Sequence, residues 1–220
     1  MSQSVIPEIL FEDNHLIAVY KNSGQTVQPE PGKPLSLEEI VKGYIKVRDK
    51  KPGDVFLGVI HRLDMPVTGI VLFAKTSKAL VRMNQIFQKR EVSKIYHALV
   101  EHHPPKSNDL ITHWLRRDDK RHMTKAFSSE VTNAEKAQLK YEIIETRGNA
   151  SLLRIELLTG RKHQIRAQLS AIGCPIKGDV KYGASKPNTD YGISLSAVEL
   201  SFEHPVKNEP ILIKSIHSIK

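Results

Sequence analysis

His61, Arg62 and Asp64 stand in the stretch "VIHRLDMPVTGIVLFAKT" (residues 59–76), between apolar runs at Val59-Ile60 and Ile70 to Ala74 that read as buried strands. An acid and two potential cations at the seam of two apolar runs cost free energy unless the charges are paired or used. Pro66 and Gly69 mark a turn just after the acid. Strands on both sides put that turn at the end of a sheet, where sites are commonly built. The competing reading is a surface turn in which Arg62 and Asp64 form a solvated pair worth little.

A second cluster lies in "TGRKHQIR" (159–166). Read as the start of a helix over 161–172, it places Arg161, Lys162, His163 and Arg166 in the first turns, with Gly173 as the C-terminal stop. Free N–H groups and the helix dipole there favour a phosphate or carboxylate; a solvated basic face fits the spacing equally well. Tyr96 sits in "KIYHALV", a strand apolar on both faces, and unaided it reads as a core tyrosine. Ten histidines are present, yet one cysteine and no H-x-x-x-H or C-x-x-C spacing leave no framework for a metal. The phosphate-cradling motifs G-x-x-x-x-G-K-[ST] and G-x-G-x-x-G do not occur, so no nucleotide cofactor is expected. The lone Cys174 lies outside these clusters and reads as structural.

The elements that must position these groups follow from periodicity. Residues 9–12 and 15–20 read as strands joined at Asp13-Asn14, and Ser36 with Glu39 gives a capping-box spacing. Leu37, Ile40, Val41, Tyr44 and Ile45 then recur as on one helix face. A strand is predicted over 70–75, a helix over 77–89 and a strand over 93–101. Residues 103–138, with "RRDDKRHMTK" in the middle, read as an extended, mobile ribbon or loop. "AQLKYEIIET" and "SLLRIELLT" form a hairpin around Arg147-Gly148-Asn149, "CPIKGDVKYG" a loop, and two strands close the chain near 195–202 and 211–215. Hairpins outnumber β-α-β crossovers. The expected class is α+β, a large, mostly antiparallel mixed sheet with flanking helices and loops, in one domain over 1–220.

The bulk numbers set the partners. In 220 residues, 33 Lys and Arg stand against 24 Asp and Glu, for a net charge of +9 and a pI near 9.5. That excess favours an anionic partner, nucleic acid before a membrane surface. One cysteine permits no intramolecular disulfide and fits a reducing compartment. The N-terminus has no basic n-region and no apolar h-region. Apolar stretches of about six residues fall far short of the ~20 that a membrane helix needs. The expectation is a cytoplasmic protein.

Taken in order, "HRLDMPVTGIVLFAKT", "KIYHALV" and "LLTGRKHQIRAQLSAIGCPIKGDVKYG" resemble the RluA-type pseudouridine synthases, over about residues 8 to 215. The H-R-L-D tetrapeptide alone is modest. With G-R-x-H-Q-I-R and P-I-x-G-D-x-x-Y-G it is specific. The resemblance implies a pseudouridine synthase-like catalytic fold and the isomerisation of uridine in RNA, rRNA or tRNA, to its C-glycoside without a cofactor. It implies that Asp64 is the catalytic aspartate, Tyr96 the base-stacking tyrosine, Arg166 the arginine that pairs with the aspartate, and Arg62 the base-flipping arginine. Two departures stand out. Val67 and Thr68 occupy the places of the family's usual threonine and serine. The N-terminal S4-type RNA-binding module of many relatives is not expected, since the resemblance to the catalytic region begins almost at residue 8.

The chemistry suits an aspartate. Breaking a glycosidic bond builds positive charge at the sugar, which a partly desolvated carboxylate stabilises or traps. A cation such as Arg166 nearby would keep that acid ionised. The target base must flip out at a cost of a few kcal/mol. Arg62 would then fill the gap and Tyr96 stack on the uracil. Phosphates would be held by Arg161, Lys162 and His163, and by Arg116, Arg117, Lys120 and Arg121, while His61 would join Arg62 in binding the RNA substrate. The expected protein is a monomer. Two rivals share parts of this reading: an RNA-binding module without catalysis, and an N-glycoside hydrolase using the same aspartate.

Overall fold

The computed structural model describes residues 6–217 and 219. Among the described residues, eleven strands and three α-helices build a mixed α+β architecture with a large sheet, as expected from the hairpin-rich pattern. The described residues divide into two compact units, one formed by residues 6–92 and 198–217, the other by 93–197 and 219. Among the described residues no helix is long and apolar enough to cross a membrane.

The first unit begins with β1 (Ile9–Glu12) and β2 (Leu16–Lys21). Asp13 shapes the turn between them, its carboxylate accepting from the N–H groups of His15 and Leu16, both at 2.8 Å. Helix α1 (Leu37–Arg48) starts where the sequence predicts it. Ser36 Oγ accepts from Glu39 N while Glu39 accepts from Ser36 N. The short β3 (Gly58–Val59) and the seven-residue β4 (Thr68–Ala74) pair antiparallel, as do β2 and β4, from Leu16↔Ala74 to Lys21↔Gly69. Helix α2 (Ser77–Gln88) is capped by Thr76. Leu16, Ala18, Ile70, Leu72, Ala79 and Met83 pack into one apolar core beneath it. Ile60 lies outside β3, so the apolar run before His61 is shorter as a strand than as a sequence.

The second unit is built on antiparallel strands. They are β5 (Ser93–Val100), β6 (Asn108–Asp118), β7 (Met123–Phe127), β8 (Glu135–Arg147) and β9 (Ala150–Leu157), hydrogen-bonded in the order β5-β9-β8-β6-β7. Of the two readings of residues 103–138, the extended ribbon holds and the loop does not: β6 runs eleven residues and forms a hairpin with β7. The inward positions of β6 are Ile111, His113 and Leu115, all nearly inaccessible. A histidine in the middle of the buried face hid the alternation. Burial lowers the pKa of His113, favouring the neutral ring, which lies 3.3 Å from Gln168 Nε2.

Helix α3 (Gln164–Ala171) is also shorter than its predicted 161–172. Residues 161–163 form a turn that ends on His163 in a left-handed conformation, φ 54°. Gln164 causes this locally. Its side-chain oxygen accepts from Thr159 Oγ1 at 2.8 Å and from Arg161 N at 3.0 Å, holding the chain in a loop instead of a helical turn. Thr124 Oγ1 donates to Lys162 O at 2.9 Å and takes that carbonyl out of any helical ladder. A one-turn 3-10 helix (Val180–Tyr182) follows within the predicted loop. The chain closes with β10 (Leu195–Glu203) and β11 (Pro210–Lys214), which pair antiparallel through the part of β10 in the first unit.

Candidate active site

In the first unit, the end of β3 and the start of β4 hold the turn that carries Asp64. The acid is half-buried between Leu63 and Val67, which are 9% and 3% exposed. Val67 N donates to Asp64 O at 3.0 Å and closes the turn. The segment after β2 grips it from outside. Gly24 N and Lys21 Nζ both donate to Met65 O at 3.0 Å, and Lys21 Nζ also donates to Asn22 O at 2.9 Å. Lys21 is 0% exposed. Burial pushes its pKa down to about 8, against the opposing pull of the Asp64 charge.

His61 and Arg62 diverge from one another. The Nε2 atom of His61 accepts from Leu72 N at 3.1 Å, and its ring stacks on Phe87 with centroids 5.4 Å apart. The ring therefore serves β4 just where the two-residue β3 gives out. Arg62 is exposed and reaches Gln28 Oε1 at 3.3 Å.

In the second unit, Tyr96 lies on β5 opposite Ile155 and is 8% exposed, on a strand whose two faces are apolar as predicted. Arg166 is not on a solvated basic face. It is 5% exposed within α3, where every residue from Gln164 to Leu169 is buried. Its Nε and Nη2 donate to the two oxygens of Asp179 at 2.7 and 2.8 Å, a bidentate fork. Its guanidinium carbon sits 4.7 Å from the centre of the Tyr182 ring. The Tyr182 hydroxyl accepts from Thr124 N at 2.8 Å and lies 2.8 Å from His163 Nδ1. Burial raises the Tyr182 pKa, so this hydroxyl is a neutral hydrogen-bonding group.

The remaining basic residues spread out. Arg161 pairs with Glu135 at 2.7 Å, and the Lys162 side chain is exposed. The two no longer form the first turn of a helix, so the predicted anion site at helical N–H groups loses them. Arg116, Arg117, Lys120 and Arg121 are all exposed at the tip of the β6–β7 hairpin. Arg117 pairs with Asp119, and Lys125 with Asp118.

The sequence reading missed Asp179 and Lys21. A signal existed for each. Lys21 ends an apolar strand, "HLIAVYK", on the face it shares with Val19 and Ile17. Asp179 follows Gly178, whose φ of +89° and whose close approach to Asn188 admit no side chain.

Comparison with known proteins bears on both units. A family model described as RNA pseudouridylate synthase matches residues 15–171. The dual-specificity RNA pseudouridine synthase RluA of Vibrio vulnificus is 32% identical over 202 residues, covering 90% of this chain and 78% of that protein. The uncharacterized RNA pseudouridine synthase MG209 homolog of Mycoplasma pneumoniae is 30% identical over 203 residues, covering 92% of this chain. The chain spans 64% of that relative's length. Among solved structures, human RNA pseudouridylate synthase domain containing 4 superposes with a TM-score of 0.79 over 96% of this chain and 88% of that one. At 23% identity it speaks to the fold.

Proposed function

We propose that this chain, which belongs to the RNA pseudouridylate synthase family and within it to the RluA type, isomerises uridine in structured RNA, rRNA or tRNA, to pseudouridine. The bond from C1′ to N1 breaks, the uracil turns, and C5 bonds to C1′ and gives up its proton as N1 gains one. The observation that carries the reading is Asp64, a carboxylate held on a turn clamped through the Met65 carbonyl by Gly24 and by a buried lysine. Such a carboxylate meets the positive charge that develops at the sugar without reorganising first.

Tyr96 stacks on the uracil, and Arg166 supplies an oriented cationic group. The exposed Arg62 fills the stack that the flipped nucleotide leaves. His61 fixes the turn through Leu72 and Phe87. Lys162, His163 and Arg161, with Arg116, Arg117, Lys120 and Arg121, hold phosphates. The protein works as a cytoplasmic monomer on RNA, with no cofactor, since each step is a bond exchange with no change of oxidation state.

RNA carrying tritium at uracil C5 tests this. The wild-type protein should release tritium into water while the RNA keeps its bases. Asp64→Asn should fold and bind RNA yet release tritium at under a tenth of that rate, a barrier raised by more than ~1.4 kcal/mol. Free uracil instead would identify a hydrolase, and neither product a binding module. Turnover by Asp64→Asn within tenfold of wild type would remove Asp64 from its role.

A further inference from the structure

We propose that Asp179 is a positioning residue for the reaction, acting through Arg166; this rests on the reading of the chain as a pseudouridine synthase that uses Arg166. The bond geometry is the first ground. Two parallel N–H···O bonds of 2.7 and 2.8 Å fix both the place and the plane of a guanidinium, which one bond would leave free to rotate. Burial is the second. Asp179 is 2% exposed and Arg166 5%, so neither charge is hydrated in exchange, and the two neutralise each other.

The third ground is that the backbone carrying the carboxylate is itself held. Asp179 N donates to Ile176 O at 2.9 Å, and Asp179 O accepts from Tyr182 N at 2.9 Å and Ala184 N at 3.1 Å. Tyr182 closes the other side. Its ring covers the guanidinium, while Ser170 Oγ from α3 donates to its carbonyl at 2.6 Å. The turn 176–184 thus wraps α3 and presents a fixed carboxylate to one edge of Arg166. A group whose contribution is electrostatic has to be in place before charge develops. A displacement near 1 Å can cost about a hundredfold in rate.

The experiment measures kcat and KM for tritium release by the full chain, scaled to the folded fraction. Asp179→Asn, of the same shape without the charge, should lower kcat about a hundredfold and leave KM within about threefold. Asp179→Glu keeps the charge but lengthens the arm. It should fold where the asparagine variant does not, and still lose kcat. Combining either substitution with Arg166→Ala should cost no more than Arg166→Ala alone, because Asp179 acts only through the arginine. A kcat per folded molecule within threefold of wild type in both variants would overturn the proposal. So would a rise in KM alone, or losses that multiply in the double variant. A second readout does not depend on turnover. The Arg166 Nε–H resonance should exchange slowly in wild type and become labile in Asp179→Asn. If wild type releases no tritium, the functional reading fails by itself, and this resonance alone judges the pairing. A signal that stays protected in the variant would sink it.

Discussion

At the tip of the β6–β7 hairpin, Arg116, Arg117, Lys120 and Arg121 are exposed, and their acids, Asp118 and Asp119, sit beside them in sequence. Lys125 holds the Asp118 carboxyl below its usual range by a hydrogen bond. In the α3 segment, "GRKHQIR", the charge density is similar, but Arg166 is buried and its acid comes thirteen residues later, beyond a glycine turn. Neighbouring acids in water form pairs worth little. A buried guanidinium needs a carboxylate whose position the fold guarantees. Counting basic residues therefore reports the electrostatic field and not which cation is inside. A single acid, remote in sequence and set after a glycine that admits no side chain, is the better marker.

The widest separation between the two regions is in stability. Arg166→Ala would leave Asp179 buried without its cation, a loss of roughly 3 to 5 kcal/mol. For a chain of this size that lowers Tm by roughly 6 to 20 °C. Arg116→Ala, on the exposed hairpin, should leave Tm within about 2 °C. Thermal melts of the two variants side by side measure this. Equal melting points would mean that the Arg166–Asp179 pair is hydrated after all.

Lys21 extends the comparison to a cation held by carbonyls. Its folded pKa of about 8 lies below an unfolded value near 10.4. Between those values the unfolded chain binds more protons, so this group's contribution to stability rises with pH there. Wild type measured against Lys21→Met should gain up to roughly 3 kcal/mol from about pH 8 to about pH 10.5. Cys174 and Tyr182, raised by burial, pull the other way at the alkaline end, but they are common to both proteins and cancel in the difference. Urea unfolding at four or five pH values gives the curve. A flat difference would show a hydrated ammonium.

What the sequence made legible is local. The Ser36–Glu39 capping box, the strand after Gly69 and the Gly148 hairpin each involve residues a few positions apart, and the structure has all three. What it hid depended on distant partners. His113 is buried on β6 because Gln168, 55 residues on, lies against it. The start of α3 moved to Gln164 because Thr124, on another strand, takes the Lys162 carbonyl. Asp179 lies within the family-like stretch, yet no rule of spacing joins it to Arg166. The turn that carries Asp64 was legible for the opposite reason: it is bounded by apolar runs within ten residues on either side.

The smallest expected effect concerns the hairpin itself. If its cations touch phosphate, each lost contact flattens the salt dependence of binding by about 0.7 for single-stranded RNA. Replacing Arg116, Arg117, Lys120 and Arg121 by alanine would then reduce the log–log slope by up to about 2.8, and by less where a cation already serves Asp119. Binding weakens most at low salt, where the released counterions matter most. Turnover on a short stem-loop at saturating concentration should fall far less, because Asp64, Tyr96 and Arg166 are untouched. The fold should hold as well, since the buried side of β6 is built from Ile111, His113 and Leu115 and none of the four is on it. A salt titration of the quadruple variant by fluorescence anisotropy decides the matter. An unchanged slope would make these residues a solvated basic tip, and would send the search for the phosphate track to Lys162 and its neighbours.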